Sequence, residues 1–86
     1  MSKLVLVTVK DVKSESYSAP MAFKAKGEAI RGFSDEVNNK DSIYNRHPAD
    51  FVLFYLGTFD QPTGKLDLTA SPESLGVGID FIQSAA

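Results

Sequence analysis

His47 to Leu68, HPADFVLFYLGTFDQPTGKLDL, is the stretch that decides the fold. It gathers Phe51, Phe54, Tyr55 and Phe59 into one apolar run. The turn cluster Asp60-Gln61-Pro62-Thr63-Gly64 follows, then a second alternating run, Lys65 to Thr69. Two such runs on either side of Asp, Pro and Gly spell an antiparallel β-hairpin with a loop of about five residues. In a strand from Phe51 to Phe59, Phe51, Leu53 and Tyr55 share one face and Val52, Phe54 and Leu56 the other. Gly57 marks a bulge or a close backbone contact. Pro48 pushes His47 toward extended geometry, so Lys40 to Asp50 reads as a loop or a single helical turn.

Working outward, Lys3 to Val12 is a second long strand. Its Leu4, Val5, Leu6 and Val7 are apolar on both faces, as in a central strand covered on both sides. The polar Lys13 to Ala19 reads as a loop. Pro20 removes a ladder donor, so Met21-Ala22-Phe23 is an extended arm or a short edge strand. A helix follows from Lys26 to Asn39, with Ala29, Ile30, Phe33 and Val37 as its apolar stripe. Glu28 in the first turn and Lys40 just past the last suit the helix dipole, and Asn38-Asn39 is a stop. Gly32 costs up to about 1 kcal/mol against alanine in a helix interior. Close packing on the sheet accounts for it, or a partner surface. Ser71-Pro72-Glu73-Ser74 has the form of a helix start, interrupted at once by Gly76 and Gly78. The tail Ile79 to Ala86 brings Ile79, Phe81 and Ile82 to dock.

This order predicts an α+β fold in a single domain, residues 1–86: a small antiparallel sheet of three to four strands, one amphipathic helix packed on one face, and a short C-terminal helix or tail. One helix cannot cover both faces of the first strand. Either the tail covers the second face or another subunit does, which makes a homo-oligomer the expectation.

Composition narrows the function classes. Eighty-six residues, 43% of them hydrophobic, suffice for one core that buries about 60–65% of the unfolded surface. The absence of cysteine removes disulfides, zinc knuckles and thiolate nucleophiles. With one histidine, a metal site would need carboxylates almost alone, and no cofactor or metal is expected. No apolar run approaches the ~20 residues of a membrane span. MSKLVLVTV lacks the apolar core and cleavage site of a signal peptide, so a cytoplasmic product is expected. The net charge of −2 divides unevenly. Residues 1–33 carry six basic against three acidic groups, net +3, and residues 34–86 three against eight, net −5. Such a two-signed chain can orient a partner.

No GxSxG, Walker or GxGxxG pattern occurs. His47, with Asp50 nearby, could serve as the base of a hydrolase triad, or simply bond local backbone as loop residues do. Asp35-Glu36 and Asp60 with Asp67 lack the spacing of a calcium loop. The chain therefore reads as a non-enzyme. Its best constellation is cationic and aromatic: Lys10, Lys13, Lys24, Lys26 and Arg31 around Tyr17 and Phe23. Single-stranded nucleic acid is held by cations along its phosphates and aromatic faces under its bases. The acidic pI, about 5.2, instead favours a protein-interaction module that docks a basic partner through residues 34–86, with Asp60 and Asp67 as the groups to reverse.

Several segments in order carry a family likeness. They are KDVKSESYSAP after the first strand, AIRGFSDEVN on the helix and HPADFVLFYLGTFDQPTGK in the hairpin. The pattern is carried by Arg31-Gly32-Phe33, Glu36-Val37-Asn38, His47-Pro48-x-Asp50-Phe51, Leu56-Gly57-x-Phe59-Asp60 and Thr63-Gly64. It resembles the small non-structural protein of gokushovirus-type microviruses, phages with circular single-stranded DNA genomes, over about residues 3–66. The resemblance implies a non-enzymatic phage accessory protein in the host cytoplasm. It implies a role in replication or packaging of single-stranded DNA, with DNA itself or a viral replication or packaging protein as partner. It assigns no residue a role.

Overall fold

The computed structural model describes residues 3–83. Its elements run β1 (Lys3–Asp11), β2 (Ser16–Tyr17), β3 (Met21–Phe23), α1 (Lys26–Val37), α2 (Ile43–Arg46), a 3₁₀ turn at Pro48–Asp50, β4 (Phe51–Asp60), β5 (Leu66–Val77) and a 3₁₀ turn at Gly78–Phe81. All pairings are antiparallel, in a five-stranded sheet of order β2-β1-β4-β5, with β3 also on β1. The expected α+β architecture, an antiparallel sheet with one main helix, is the architecture found.

The sheet has its extra strand because the edge of β1 needs partners. β3 pairs Val5 to Val7, and β2 pairs Lys10 and Asp11 within the stretch expected to be only loop. Ser18 bridges the two short strands. Its N–H donates to the Val9 carbonyl at 2.8 Å, its Oγ accepts the Val9 N–H at 3.1 Å, and its carbonyl accepts the Thr8 hydroxyl at 2.7 Å. Thr8, 2% exposed, is thereby satisfied inside the sheet.

Residues 71–74 differ from the expected helix start. They lie in β5, a 12-residue strand that follows β4 along most of its length. Thr69, Ala70, Ser71 and Pro72 stand opposite Leu56 alone, and pairing resumes at Glu73 with Tyr55. Pro72 thus falls in a bulge, where a missing N–H costs nothing. The first half of β4, paired with β1 on one edge, offered its other edge to Glu73–Val77, and that outweighed a local cap signal. Gly57 lies at the matching irregularity with φ +141°. A Cβ there would strike the Asp67 carbonyl oxygen and meet Leu68 Cα at 2.7 Å, so the close backbone contact expected of this glycine is real.

α1 lies on one face of the sheet. Ala29, Phe33 and Val37 of its stripe are buried against Val7, Val9, Phe51 and Leu53, and Ile30 is half-buried beside them. Val7 and Val37 are fully buried, and Leu53 is 1% exposed. Glu28 Oε1 accepts the N–H of Lys24 at 3.2 Å, one residue ahead of the N-cap Ala25, which itself offers no side-chain cap. The helix stops at Val37, and Asn38 ties it to the tail: Nδ2 donates to the Ser34 and Phe81 carbonyls at 2.8 and 2.9 Å, and Oδ1 accepts the Gln83 N–H at 2.8 Å. Phe81 meets Phe33 edge-on at 5.7 Å. The tail therefore docks on the helix face, not on the opposite one. Residues 84–86 of the expected tail lie outside the described residues.

Candidate nucleic-acid interface

The two faces of the sheet differ because alternate residues of β1 and β4 part company. Val5, Val7, Val9, Phe51 and Leu53 point to α1. Leu4, Leu6, Thr8 and Lys10 point away, opposite Phe59, Gly57, Phe54 and Val52. No described helix crosses this second face. Near the hairpin, Leu6, Leu56, Leu66 and Leu68 line a shallow hollow of about 250 Å³, with Leu66 and Leu68 58% and 57% exposed.

At the other end of the same open face stand Lys10 and Tyr17, which pair across β1 and β2. Lys10 Nζ lies 5.5 Å from the centroid of the Tyr17 ring, and Tyr17 meets Phe54 edge-on at 5.8 Å. Tyr17 is 48% exposed, so one ring is held in place by aromatic and cationic neighbours yet still offers surface. Lys13 is exposed in the adjoining turn, where its N–H donates to Asp11 Oδ1 at 3.0 Å.

The other candidates lie elsewhere. Phe23 is half-buried on the helix face, under Gly32, and packs on the core rather than offering a free ring. Lys24 is exposed where β3 leads into α1, and Arg31 is exposed on α1. Lys26 Nζ sits 4.2 Å above the ring of Tyr55, an aromatic partner that the sequence reading did not assign to it. The structure thus brings Lys10 and Tyr17 together, with Lys13 in the turn between their strands, and places Phe23, Lys24, Lys26 and Arg31 on or beside β3 and α1. Phe54, read as a hairpin residue, joins the first group through strand register. Its pairing with Thr8, two residues from Lys10, was invisible before the register was known.

His47 ends α2 and is exposed. Its N–H donates to the Ile43 carbonyl at 3.0 Å, and its carbonyl accepts the Asp50 N–H at 3.0 Å. The Asp50 carbonyl accepts the Val12 N–H at 2.9 Å, so the His47-Pro48-x-Asp50 pattern launches β4 and anchors it to β1 through backbone bonds. Neither residue lines either pocket. Among the described residues, no three His, Asp or Glu side chains gather as metal ligands, and no helix is long and apolar enough to cross a membrane.

The model of the family described as Phage ORF5 protein matches residues 4–81. The chain belongs to this phage protein family. The match covers all of the described sheet but Lys3, the helix and the 3₁₀ turn that docks on it, so the open face and its Lys10–Tyr17 end lie within the family's own extent. No curated protein and no solved structure matches the chain.

Proposed function

We propose that this Phage ORF5 family protein is a non-enzymatic accessory protein in replication or packaging of single-stranded DNA, and that it binds the strand on the open face of its sheet. The observation that carries this reading is the half-exposed Tyr17 ring, flanked by Lys10 at 5.5 Å and by Phe54 at 5.8 Å. Tyr17 stacks on a base while Lys10 and Lys13 meet the neighbouring phosphates. The resemblance to the gokushovirus non-structural protein supports the choice of single-stranded over duplex DNA.

The test is fluorescence anisotropy with labelled single- and double-stranded oligonucleotides across a salt series. Binding falls steeply with added salt and prefers the single strand. Tyr17→Ala costs about 1–3 kcal/mol of affinity, the typical worth of one stacked base. Lys10→Ala and Lys13→Ala each flatten the salt slope by about one charge. A response that stays flat from low to moderate salt rules out phosphate contact.

The hairpin end of the open face supports self-association. Leu66 and Leu68 stand exposed beside Leu6 and Leu56, and the docked tail leaves them uncovered. Leu68→Asp should shift sedimentation at high micromolar protein toward monomer, and a chain that is already monomeric there removes this element.

For the second reading, docking of a basic partner through the acidic residues 34–86, Asp60 is not a free contact. Asp60 is occupied in the hairpin turn, where Oδ2 accepts the Thr63 hydroxyl at 2.6 Å and its carbonyl accepts the Gly64 N–H at 2.7 Å.

A further inference from the structure

On the helix side of the sheet a cleft of about 580 Å³ opens between β3 and the start of α2. Its floor is Val7, Val9 and Leu53, its roof Ala29, Gly32 and Phe33, and Met21 and Ile43 flank the opening. This volume lies within the roughly 300–1,000 Å³ of ligand-sized pockets. We propose that it receives a bulky apolar side chain of a partner protein's peptide segment that also carries basic residues. The proposal does not depend on the DNA reading, which concerns the opposite face.

Four observations select that occupant. The lining is apolar with few polar groups free to orient a small molecule. Ser42 Oγ is already taken by the Tyr44 N–H at 3.0 Å, and Glu36, whose Oε1 accepts the Asn39 Nδ2–H at 3.2 Å, is the one charged side chain in the lining. The apolar surface continues outward at the mouth, where Met21 and Ile43 are 39% and 49% exposed, as at the centre of a protein–protein contact. The outer edge of β3 pairs with no strand among the described residues, so backbone groups stand open beside the cleft. Finally, Glu36 stands in the lining and the exposed Asp35 adjoins it on α1, which suits a lysine or arginine beside the inserted residue. Burial first, and then the Glu36 carboxylate, push the Tyr44 phenol above its ordinary value, consistent with that carboxylate's field reaching into the cleft.

Gly32 belongs to the same feature. A Cβ there would meet the Phe23 ring at 3.7 and 3.8 Å, ordinary contact, so packing on the sheet does not demand glycine. Close packing alone therefore does not account for glycine at this position. The missing side chain leaves room in the roof of the cleft.

The probe is a fluorescein-labelled heptapeptide alternating lysine with phenylalanine or leucine, titrated with the full chain and read by anisotropy. A second peptide carries glutamate in place of lysine. Saturable binding of the basic peptide is expected. It should weaken about tenfold or more in Ile43→Asp and Gly32→Leu, and several-fold in Glu36→Lys. Leu68→Asp and Tyr17→Ala, on the other face, should leave it unchanged. Ile43 and Glu36 are exposed, so these two variants keep the test valid if Gly32→Leu perturbs the fold. Equal binding of the acidic peptide overturns the proposal, as do equal affinities in all variants. Self-association that Ile43→Asp abolishes would assign the cleft to a second copy of this chain and overturn it as well.

Discussion

The two faces of one sheet have opposite fates, although both carry apolar residues. Val7 and Val9 are 0% and 4% exposed beneath α1, while Leu66 and Leu68, on the side that α1 does not reach, stay more than half exposed. One amphipathic helix and one docked tail are too little material for two faces, and both packed on the same one. A chain of this size resolves the conflict by leaving apolar surface open, and such surface marks a place of contact. The covered face carries the stability, and the open face carries the proposed DNA contact.

The sharpest way to break this contrast is Leu53→Ala against Leu68→Ala in urea unfolding. The first should cost about 2–5 kcal/mol, because it empties a filled site beneath the helix. The second should stay within about 0.5 kcal/mol. Comparable losses would mean that the open face is covered in solution. Gly57→Ala should cost about 1–3 kcal/mol, since it forces a side chain into the β5 backbone at a positive φ, and the amides of Leu66 and Leu68 should then exchange faster. Gly32→Ala points the other way. It should stabilise by up to about 1 kcal/mol through helix propensity, because the space above Phe23 accepts a methyl group. A loss of stability there would restore the close-packing explanation.

The smallest effect concerns pH. The folded state holds the Tyr44 phenol above its ordinary value of 10.0, by burial first and by Glu36 second. Protonated tyrosine is thus the form the fold prefers. Its contribution is fully present below about pH 10 and is lost as pH rises through the higher folded value. Tyr44→Phe should remove that alkaline component of the unfolding curve and leave the neutral range nearly unchanged.

The hairpin, the long first strand, the helix and its stripe were legible because each is written in a local period: two for Phe51 to Leu56, between three and four for Ala29, Phe33 and Val37. Gly57 was legible as a backbone contact because few other roles suit glycine inside a strand. The Ser71-Pro72 signal misled because it, too, is local. Its caps are neutral to the question of whether a neighbouring strand needs a partner. The candidate site was half legible. Residue types pointed to cations near aromatics, but only strand pairing could join Lys10 to Tyr17 and Phe54, or send Phe23 and Lys26 to the other side.

The order and type of the main elements, and the certainty that one helix could not bury every apolar residue, came from the chain alone, because backbone periodicity and composition are properties of neighbours in sequence. Which face the helix and tail would cover, where Pro72 would fall, and which cations would share a surface were decided only by tertiary structure. Those outcomes depend on register, and register is set by contacts between residues tens of positions apart that no local pattern encodes.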